Sequence, residues 1–192
     1  MVELMENPLR KAAAAAVVLR EAGIGELEIL CAIDLDASRL FDQVGMELTE
    51  ENSVEYAAAE RARWLQCLKS GKVLVATTRL GEPIGFAALR SLDGDAYLEQ
   101  LSVRMHAMRS GIGSALLKAA EGAAANTHAR GLWLTTYRHL PWNAPFYAKA
   151  GFAIVPAERC GSEMLQELSL QRRLLPAPDE RVAMHKVLST SS

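Results

Sequence analysis

The chain has 192 residues, of which 50% are hydrophobic and 23% charged, an ordinary balance for a globular protein that can form its own core. Its formal net charge of -2 excludes a general electrostatic attraction to nucleic acid or to an anionic membrane. The cysteines Cys31, Cys67 and Cys160 form no CxxC pair and no cluster with histidine. We therefore expect reduced thiols, no metal and a cytoplasmic protein without a nucleic-acid or membrane partner.

The first 14 residues are predicted to be a leader, and residues 15–190 to form one domain. The apolar stretch Ala12–Leu19 is flanked by charges of both signs, which is not typical of a signal peptide. It is also far shorter than the ~20 residues of a membrane span. Ala15–Arg20 is predicted to be either a first strand or the end of a short helix.

The rest of the chain alternates between helical and strand patterns. Two amphipathic helices are predicted over Gly25–Gly45 and from an N-cap at Ser53 to Gly71. Three strands and then further helices and strands follow: Lys72–Thr78, Ile84–Leu92, Ala96–Val103, helix Ser114–Ala129, strand Gly131–Tyr137, short helix Asn143–Gly151, helix Ser162–Leu175 and strand Glu180–Leu188. A further short strand between the last two helices is left open. This order predicts a mixed α/β or α+β domain around one sheet.

Two glycines lie between the strand that ends at Val103 and the next helix. Gly111 and Gly113 allow the backbone to approach a ligand closely, and the N–H groups at a helix start attract phosphate. A plain tight turn fits the same pattern. A triphosphate loop is disfavoured because no Gly-Lys-Ser/Thr follows, and a dinucleotide site because Leu116 replaces the third glycine.

The segment LEQLSVRMHAMRSGIGSALL, residues 98–117, resembles the central motif of the GNAT superfamily of N-acetyltransferases. Val103 occupies the place of the strand-ending valine, and Gly111 and Gly113 occupy the glycine places. The segment GLWLTTYRHLPWNAPFYAKAGF, residues 131–152, resembles the next motif, with Asn143 and Tyr147 at its Asn and Tyr places. The likeness spans about residues 16–188. It departs from the family at Met108, where Gln or Arg is usual, and at Met105, where Pro is common.

The resemblance implies the GNAT fold: a mixed, mostly antiparallel, twisted sheet flanked by helices. Its strands Ala96–Val103 and Leu132–Tyr137 would splay apart to form a cleft for acyl-coenzyme A. The implied activity is acetyl transfer from acetyl-coenzyme A (acetyl-CoA), as cosubstrate, to a primary amine of a small molecule or peptide. The amine would attack directly in a ternary complex, without a nucleophile from the chain. The alternative is a non-catalytic module of the same fold that binds acyl-coenzyme A as a sensor.

The resemblance also assigns site residues. Those expected to bind the coenzyme are Leu101, Ser102, Val103, Arg109, Ser110, Gly111, Ile112, Gly113, Ser114 and Asn143. Tyr147 is expected to give a proton to the departing thiolate, with ring packing as the alternative role.

The proton acceptor is sought in the strand beside the cleft. Strand alternation places Tyr97, Glu99, Leu101 and Val103 on one face, where a carboxylate either pairs or lines a wet cleft. Glu99 is the predicted general base, acting through water, with a structural carboxylate as the alternative.

Other residues near the cleft have weaker signals. His139 is a second candidate for the base, and Trp142 is interpreted as packing. The acidic residues Glu47, Glu50, Glu51 and Glu55 are interpreted as a solvated face rather than a rim that attracts cationic amines. The acceptor amine and the oligomeric state stay open, a homodimer included.

Overall fold

The computed structural model describes residues 17–46 and 52–188, without the side chains of Asn52, Ser53, Glu55 and Tyr56. The predicted leader, residues 1–14, lies outside this part. So do three of the four acidic residues of the predicted solvated face, namely Glu47, Glu50 and Glu51, and the side chain of the fourth.

Seven strands of the described residues form one open sheet. They are β1 (Val18–Glu21), β2 (Val73–Thr77), β3 (Pro83–Leu92), β4 (Asp95–Val103), β5 (Gly131–Tyr137), β6 (Ala153–Val155) and β7 (Arg181–Val187). Their order across the sheet is β1-β2-β3-β4-β5-β7-β6. The pair β4 and β5 is parallel, and every other neighbouring pair is antiparallel. The predicted mixed, mostly antiparallel sheet is therefore confirmed, and the strand alternative for the first element is correct.

Among the described residues, five α-helices flank the sheet: α1 (Leu27–Asp42), α2 (Asn52–Lys69), α3 (Ile112–Asn126), α4 (Ala144–Lys149) and α5 (Ser162–Leu174). Several predicted helix starts differ from the structure by one or two residues. Ser53 lies inside α2 rather than before it. Helix α3 begins at Ile112, two residues before Ser114. Its N-cap is Gly111, which takes a left-handed conformation with φ 89°.

The helices pack on both faces of the sheet. On one face, α3 and α4 cover a core that includes Leu98, Leu116 and Leu132. On the opposite face, α1 and α2 bury residues such as Ile33 and Trp64 against β2 and β3. Helix α5 lies on this second face too, where it packs against Tyr97 and residues of β7. The sheet therefore separates α3 and α4 from α1, α2 and α5.

The parallel strands β4 and β5 are paired over two positions only, Ala96 with Leu132 and Tyr97 with Trp133. From Leu98 to Val103, the edge of β4 that faces β5 has no strand partner, so its backbone N–H and C=O groups are available to a ligand. We call this gap the strand opening. The splayed strands predicted from the sequence are thus present.

A β-bulge changes which β4 side chains face which helices. Ala88 of β3 pairs with Gln100 and Leu89 pairs with Leu98, so Glu99 is an extra residue without a cross-strand partner. The predicted alternation, with Glu99, Leu101 and Val103 on one face, is therefore wrong. The extra residue turns Leu101 and Val103 toward α3, whereas Glu99 stays with Tyr97 on the face of α2 and α5.

Candidate functional site

The loop before α3 presents unpaired backbone N–H groups at the end of the strand opening. The first helical hydrogen bond of α3 is from Ala115 N to Gly111 O, at 3.0 Å. The N–H groups of Ile112, Gly113 and Ser114 precede it and have no partner within the helix, and no side chain caps this end. Together with the positive end of the helix dipole, they form a binding site suited to a diphosphate.

Gly113 is not required by the packing of the protein itself. A Cβ atom placed there would lie 3.8 Å from Phe146 Cζ and 3.9 Å from Val103 Cγ2, which are ordinary contacts. Gly111 is different, because its φ of 89° is strained for residues with a side chain. The packing of the described residues therefore gives no reason for glycine at position 113.

The other predicted loop residues have ordinary local roles or none. Ser110 Oγ donates to Ala107 O at 2.5 Å, which fixes the turn. Arg109 has a left-handed φ of 61° and an exposed side chain, so its guanidinium is accessible to an anion. Met108, at the place where the family usually has Gln or Arg, is partly buried.

The predicted coenzyme residues of β4 differ in the direction of their side chains. Leu101 and Val103 pack against the core beneath α3. Ser102 is buried on the opposite face, where its hydroxyl donates to Asp34 of α1 at 2.6 Å. Only the backbone edge of these residues therefore faces β5 and remains open to a bound chain.

Asn143 and Tyr147 lie one helical turn apart on the β5 side of the strand opening. Tyr147 N donates to Asn143 O at 3.1 Å, which confirms the predicted turn. Asn143 is the N-cap residue of α4 by position, but its side chain makes no capping hydrogen bond. The chain turns here at Pro145, which lies in the first turn of α4, and the Asn143 amide is left available for another partner.

The Tyr147 ring is held by aromatic neighbours while its hydroxyl has no fixed partner. Its ring centroid lies 5.0 Å from that of Phe146 and 5.8 Å from that of Phe152. No described residue hydrogen-bonds the hydroxyl. Burial raises the pKa of Tyr147 well above its ordinary value, and the nearby Arg181 charge offsets this only in part. The phenol is therefore protonated at neutral pH and can act as a donor.

Glu99 is nearly buried between two arginines. Its side chain is 2% exposed, one oxygen accepts from Arg63 of α2, and the other accepts from Arg90 of β3. Burial opposes the charge of Arg90, but Glu99 and Glu167 outweigh it and raise the pKa of this guanidinium. The sequence left a paired carboxylate and a wet cleft open for Glu99, and the structure has the pair.

This ion pair is part of a polar network that the sequence analysis missed. Arg90 also donates to Glu167 of α5 at 2.6 Å, and Glu167 accepts from Gln171 at 2.6 Å. Gln171 in turn accepts from Arg181 of β7. The network connects α5 to the sheet. Its members Arg90 and Glu167 lie 77 residues apart in sequence, so no local pattern identifies them as partners.

Asp34 of α1 is a second acid near the strand opening that the sequence analysis missed. Its Oδ1 accepts hydrogen bonds from the side chains of Ser102 and Gln100. One signal was available, because Asp34 stands four residues after the buried Leu30, on a helix face that is otherwise apolar.

The two remaining aromatic candidates have partners of their own. His139 is exposed, and its Nδ1 lies 3.2 Å from Glu180 Oε2. Trp142 packs with its ring centroid 6.1 Å from that of Phe41, in agreement with the packing interpretation. Within residues 17–46 and 52–188, no group of three or more potential metal ligands occurs, and no helix is long and apolar enough to cross a membrane.

Comparison with solved structures identifies the fold. N-acetylglutamate synthase from Neisseria gonorrhoeae, complexed with coenzyme A and N-acetyl-glutamate, is similar at TM-score 0.63 and 16% identity over 90% of this chain. This chain covers 35% of that synthase. PaiA N-acetyltransferase from Thermoplasma acidophilum, in complex with coenzyme A, gives TM-score 0.63 and 19% identity over 89% of this chain and 98% of that one. Rv2747 from Mycobacterium tuberculosis gives TM-score 0.64 and 16% identity, over 90% of this chain and 99% of that one.

A family model described as "Acetyltransferase (GNAT) family" matches residues 32–152, which contain the strand opening, the loop before α3 and Tyr147. This match covers more than half of the chain and includes both motifs that carry the resemblance. The chain belongs to the GNAT acetyltransferase family.

Proposed function

We propose that this protein transfers the acetyl group of acetyl-CoA to a primary amine of a small molecule or peptide. One observation carries the proposal: the unpaired N–H groups that begin α3 lie close to α4, because a Cβ at Gly113 would be 3.8 Å from Phe146 Cζ. The next residue, Tyr147, has a hydroxyl that no described residue bonds, and β4, which leads into the loop before α3, has an unpaired edge. A diphosphate group and a thioester are the two parts of the coenzyme that need such partners.

Coenzyme A in the solved relatives supports this cosubstrate. The synthase from N. gonorrhoeae and PaiA from T. acidophilum are both complexes with it. In this chain, we assign the diphosphate to the N–H groups between Gly111 and Ser114, with Arg109 as an added positive charge. The pantetheine arm follows the open edge of β4 at Leu101–Val103, and the Asn143 amide contacts it from the other side.

In this reaction, the side chains of the protein donate and accept protons and form no covalent intermediate with the acetyl group. The amine nitrogen attacks the thioester carbon, and the C–S bond breaks as the amide forms. Tyr147 gives its proton to the departing sulfur, whose reference pKa as a thiol is ~8.5. Glu99 is the base proposed from the sequence. Because both of its oxygens accept from arginines, its role as a base is tested separately.

Release of free thiol from acetyl-CoA tests the proposed function. The amines offered are spermidine, tryptamine, L-glutamate and a lysine-containing peptide. We expect amine-dependent thiol release with at least one of them, matched by an equal amount of acetylated amine. Tight coenzyme binding without thiol release for any amine would instead support the non-catalytic sensor.

Gly113→Val is expected to weaken acetyl-CoA binding at least tenfold, about 1.4 kcal/mol, because its side chain occupies the space assigned to the diphosphate. Gly122→Val is the matched control, since Gly122 lies in the same helix with nothing within 4 Å of an added Cβ. Calorimetry on both folded variants makes the comparison. If both variants bind acetyl-CoA with equal affinity, the assignment of the diphosphate to this loop is wrong.

Glu99→Gln is expected to lower kcat by a similar factor at every pH, because both carboxylate oxygens are already held by arginines. A general base is needed most at low pH, where the amine is protonated. A loss that grows as the pH falls would therefore assign the proton-accepting role to Glu99. The measurement is a pH profile of kcat for the wild-type protein and the variant.

A further inference from the structure

Asp34 differs from Glu99 in having one oxygen without a partner. Both of its hydrogen bonds, from Ser102 Oγ at 2.6 Å and from Gln100 Nε2, end on Oδ1. No described residue donates to Oδ2, and no described cation lies within ion-pairing distance of Asp34. The two bonds orient the carboxylate and leave Oδ2 without a partner among the described residues.

Helix α1 extends from β4 to β5, with the Asp34 carboxylate over β4. At Asp34 the helix contacts β4, and seven residues later Phe41 contacts β5, where its ring centroid lies 5.9 Å from that of Tyr137. Seven residues are two helical turns, about 10 Å along the axis, so both side chains lie on the helix face toward the sheet. The α1 face of the opening therefore lies opposite the face on which α3 offers its N–H groups.

The charges around Asp34 are few. On α1 itself, Cys31 lies beside Arg61, and Asp36 accepts from Met105 N at 2.8 Å. On the strands beneath, Glu99 of β4 is bound by Arg63 and by Arg90 of β3. Beyond β4, Arg104 donates to Pro83 O and His106 is exposed.

Burial raises the pKa of the Asp34 carboxyl, and the hydrogen bonds from Ser102 and Gln100 offset only part of that rise. The carboxylate thus has more proton affinity than an ordinary aspartate, and no cation in residues 17–46 or 52–188 compensates its charge.

We propose that Asp34 binds the ammonium group of the acceptor and takes its first proton, so that Asp34 is a catalytic residue and the acceptor is cationic at its reacting nitrogen. This inference rests on the proposed function. The ammonium gives one proton to Asp34 Oδ2 and becomes the neutral amine. The nitrogen then forms the C–N bond, the C–S bond breaks, and sulfur takes the proton of Tyr147. The second proton lost by the nitrogen restores Tyr147, and Asp34 passes the first to solvent.

Asp34→Asn tests the inference, because the amide oxygen still accepts from Ser102 and Gln100 while the base is lost. With the best amine of spermidine, tryptamine, L-glutamate and the lysine-containing peptide, we expect kcat/KM at pH 7 to fall about 100-fold. The loss should shrink at high pH, where the amine is already neutral. Asp36→Asn, which changes a nearby acid bonded to backbone, should stay within threefold of wild type.

Thermal unfolding gives a second readout that does not depend on activity. A carboxyl whose pKa is raised by folding costs stability above that pKa, and the cost disappears once both states are protonated. Asp34→Asn should therefore melt at a higher temperature than wild type at pH 8, and this difference should narrow as the pH falls. A lower melting temperature for Asp34→Asn at pH 8 would contradict the uncompensated charge on which the inference depends.

The outcomes separate the inference from the proposed function. If wild-type protein releases no thiol with any of the four amines, the proposed function fails and this inference with it. If wild type is active and Asp34→Asn keeps kcat/KM within threefold from pH 6 to pH 9, the Asp34 assignment alone is overturned.

Discussion

Tyr147→Phe is expected to lower kcat by about 100-fold or more and to leave the dissociation constant for acetyl-CoA within a few-fold. The substitution keeps the ring between Phe146 and Phe152 and removes only the hydroxyl, which no described residue engages. Because burial raises the pKa of Tyr147, the wild-type donor stays protonated at neutral pH. Any alkaline loss of activity below about pH 10 should therefore come from another group.

Tyr137→Phe is the matched control for this hydroxyl. The Tyr137 hydroxyl donates to Pro176 O at 2.9 Å, so its loss should cost about 1 kcal/mol of stability and leave kcat close to wild type. Stopped-flow and steady-state thiol assays on the two variants make the comparison. A Tyr147→Phe protein with full kcat on its best amine would show that sulfur takes its proton from water or another group.

Arg90→Met is expected to lower the free energy of unfolding by about 3–5 kcal/mol. The arginine is bound to both Glu99 and Glu167, and its guanidinium lies 4.7 Å from the centre of the Tyr97 ring. Its removal leaves two nearly buried carboxylates with less compensation, and desolvated charge without a partner is costly. Urea unfolding at pH 7 measures the change.

Arg20→Met provides the comparison with an exposed pair. Arg20 binds Glu26 at 2.7 Å, but its side chain is 40% exposed, so the loss should be at most about 1 kcal/mol. If Arg90→Met costs no more than Arg20→Met, the network between β3, β4 and α5 does not stabilise the fold. The same result would leave Glu99 without a structural reason for its burial.

The parts of the fold that depend on local patterns could be predicted from the sequence. Alternating or β-branched runs identified β2 to β5, and the glycines after Val103 identified the start of a helix beside a binding loop. Both patterns depend only on residues that are close together in the sequence, so they can be recognised without a structure. The pattern left β6 open, because three residues give too little periodicity.

The predictions failed where a single residue changes the register or where partners are distant in sequence. The bulge at Glu99 turned two side chains to the other face, and alternation alone contains no signal for it. Glu99 pairs with Arg63, 36 residues earlier, and Asp34 binds Ser102, 68 residues later. Such contacts depend on how α1 and α2 pack over the sheet, so the partners of Glu99 and Asp34 became evident only in three dimensions.

A crystal structure with bound coenzyme A tests most directly whether the strand opening is the site of transfer. We expect the diphosphate on the N–H groups between Gly111 and Ser114, and the pantetheine arm along the open edge of β4. We also expect the sulfur within hydrogen-bond reach of the Tyr147 hydroxyl, with Asp34 on the opposite side. A coenzyme bound elsewhere, or a sulfur far from both Tyr147 and Asp34, would contradict this assignment.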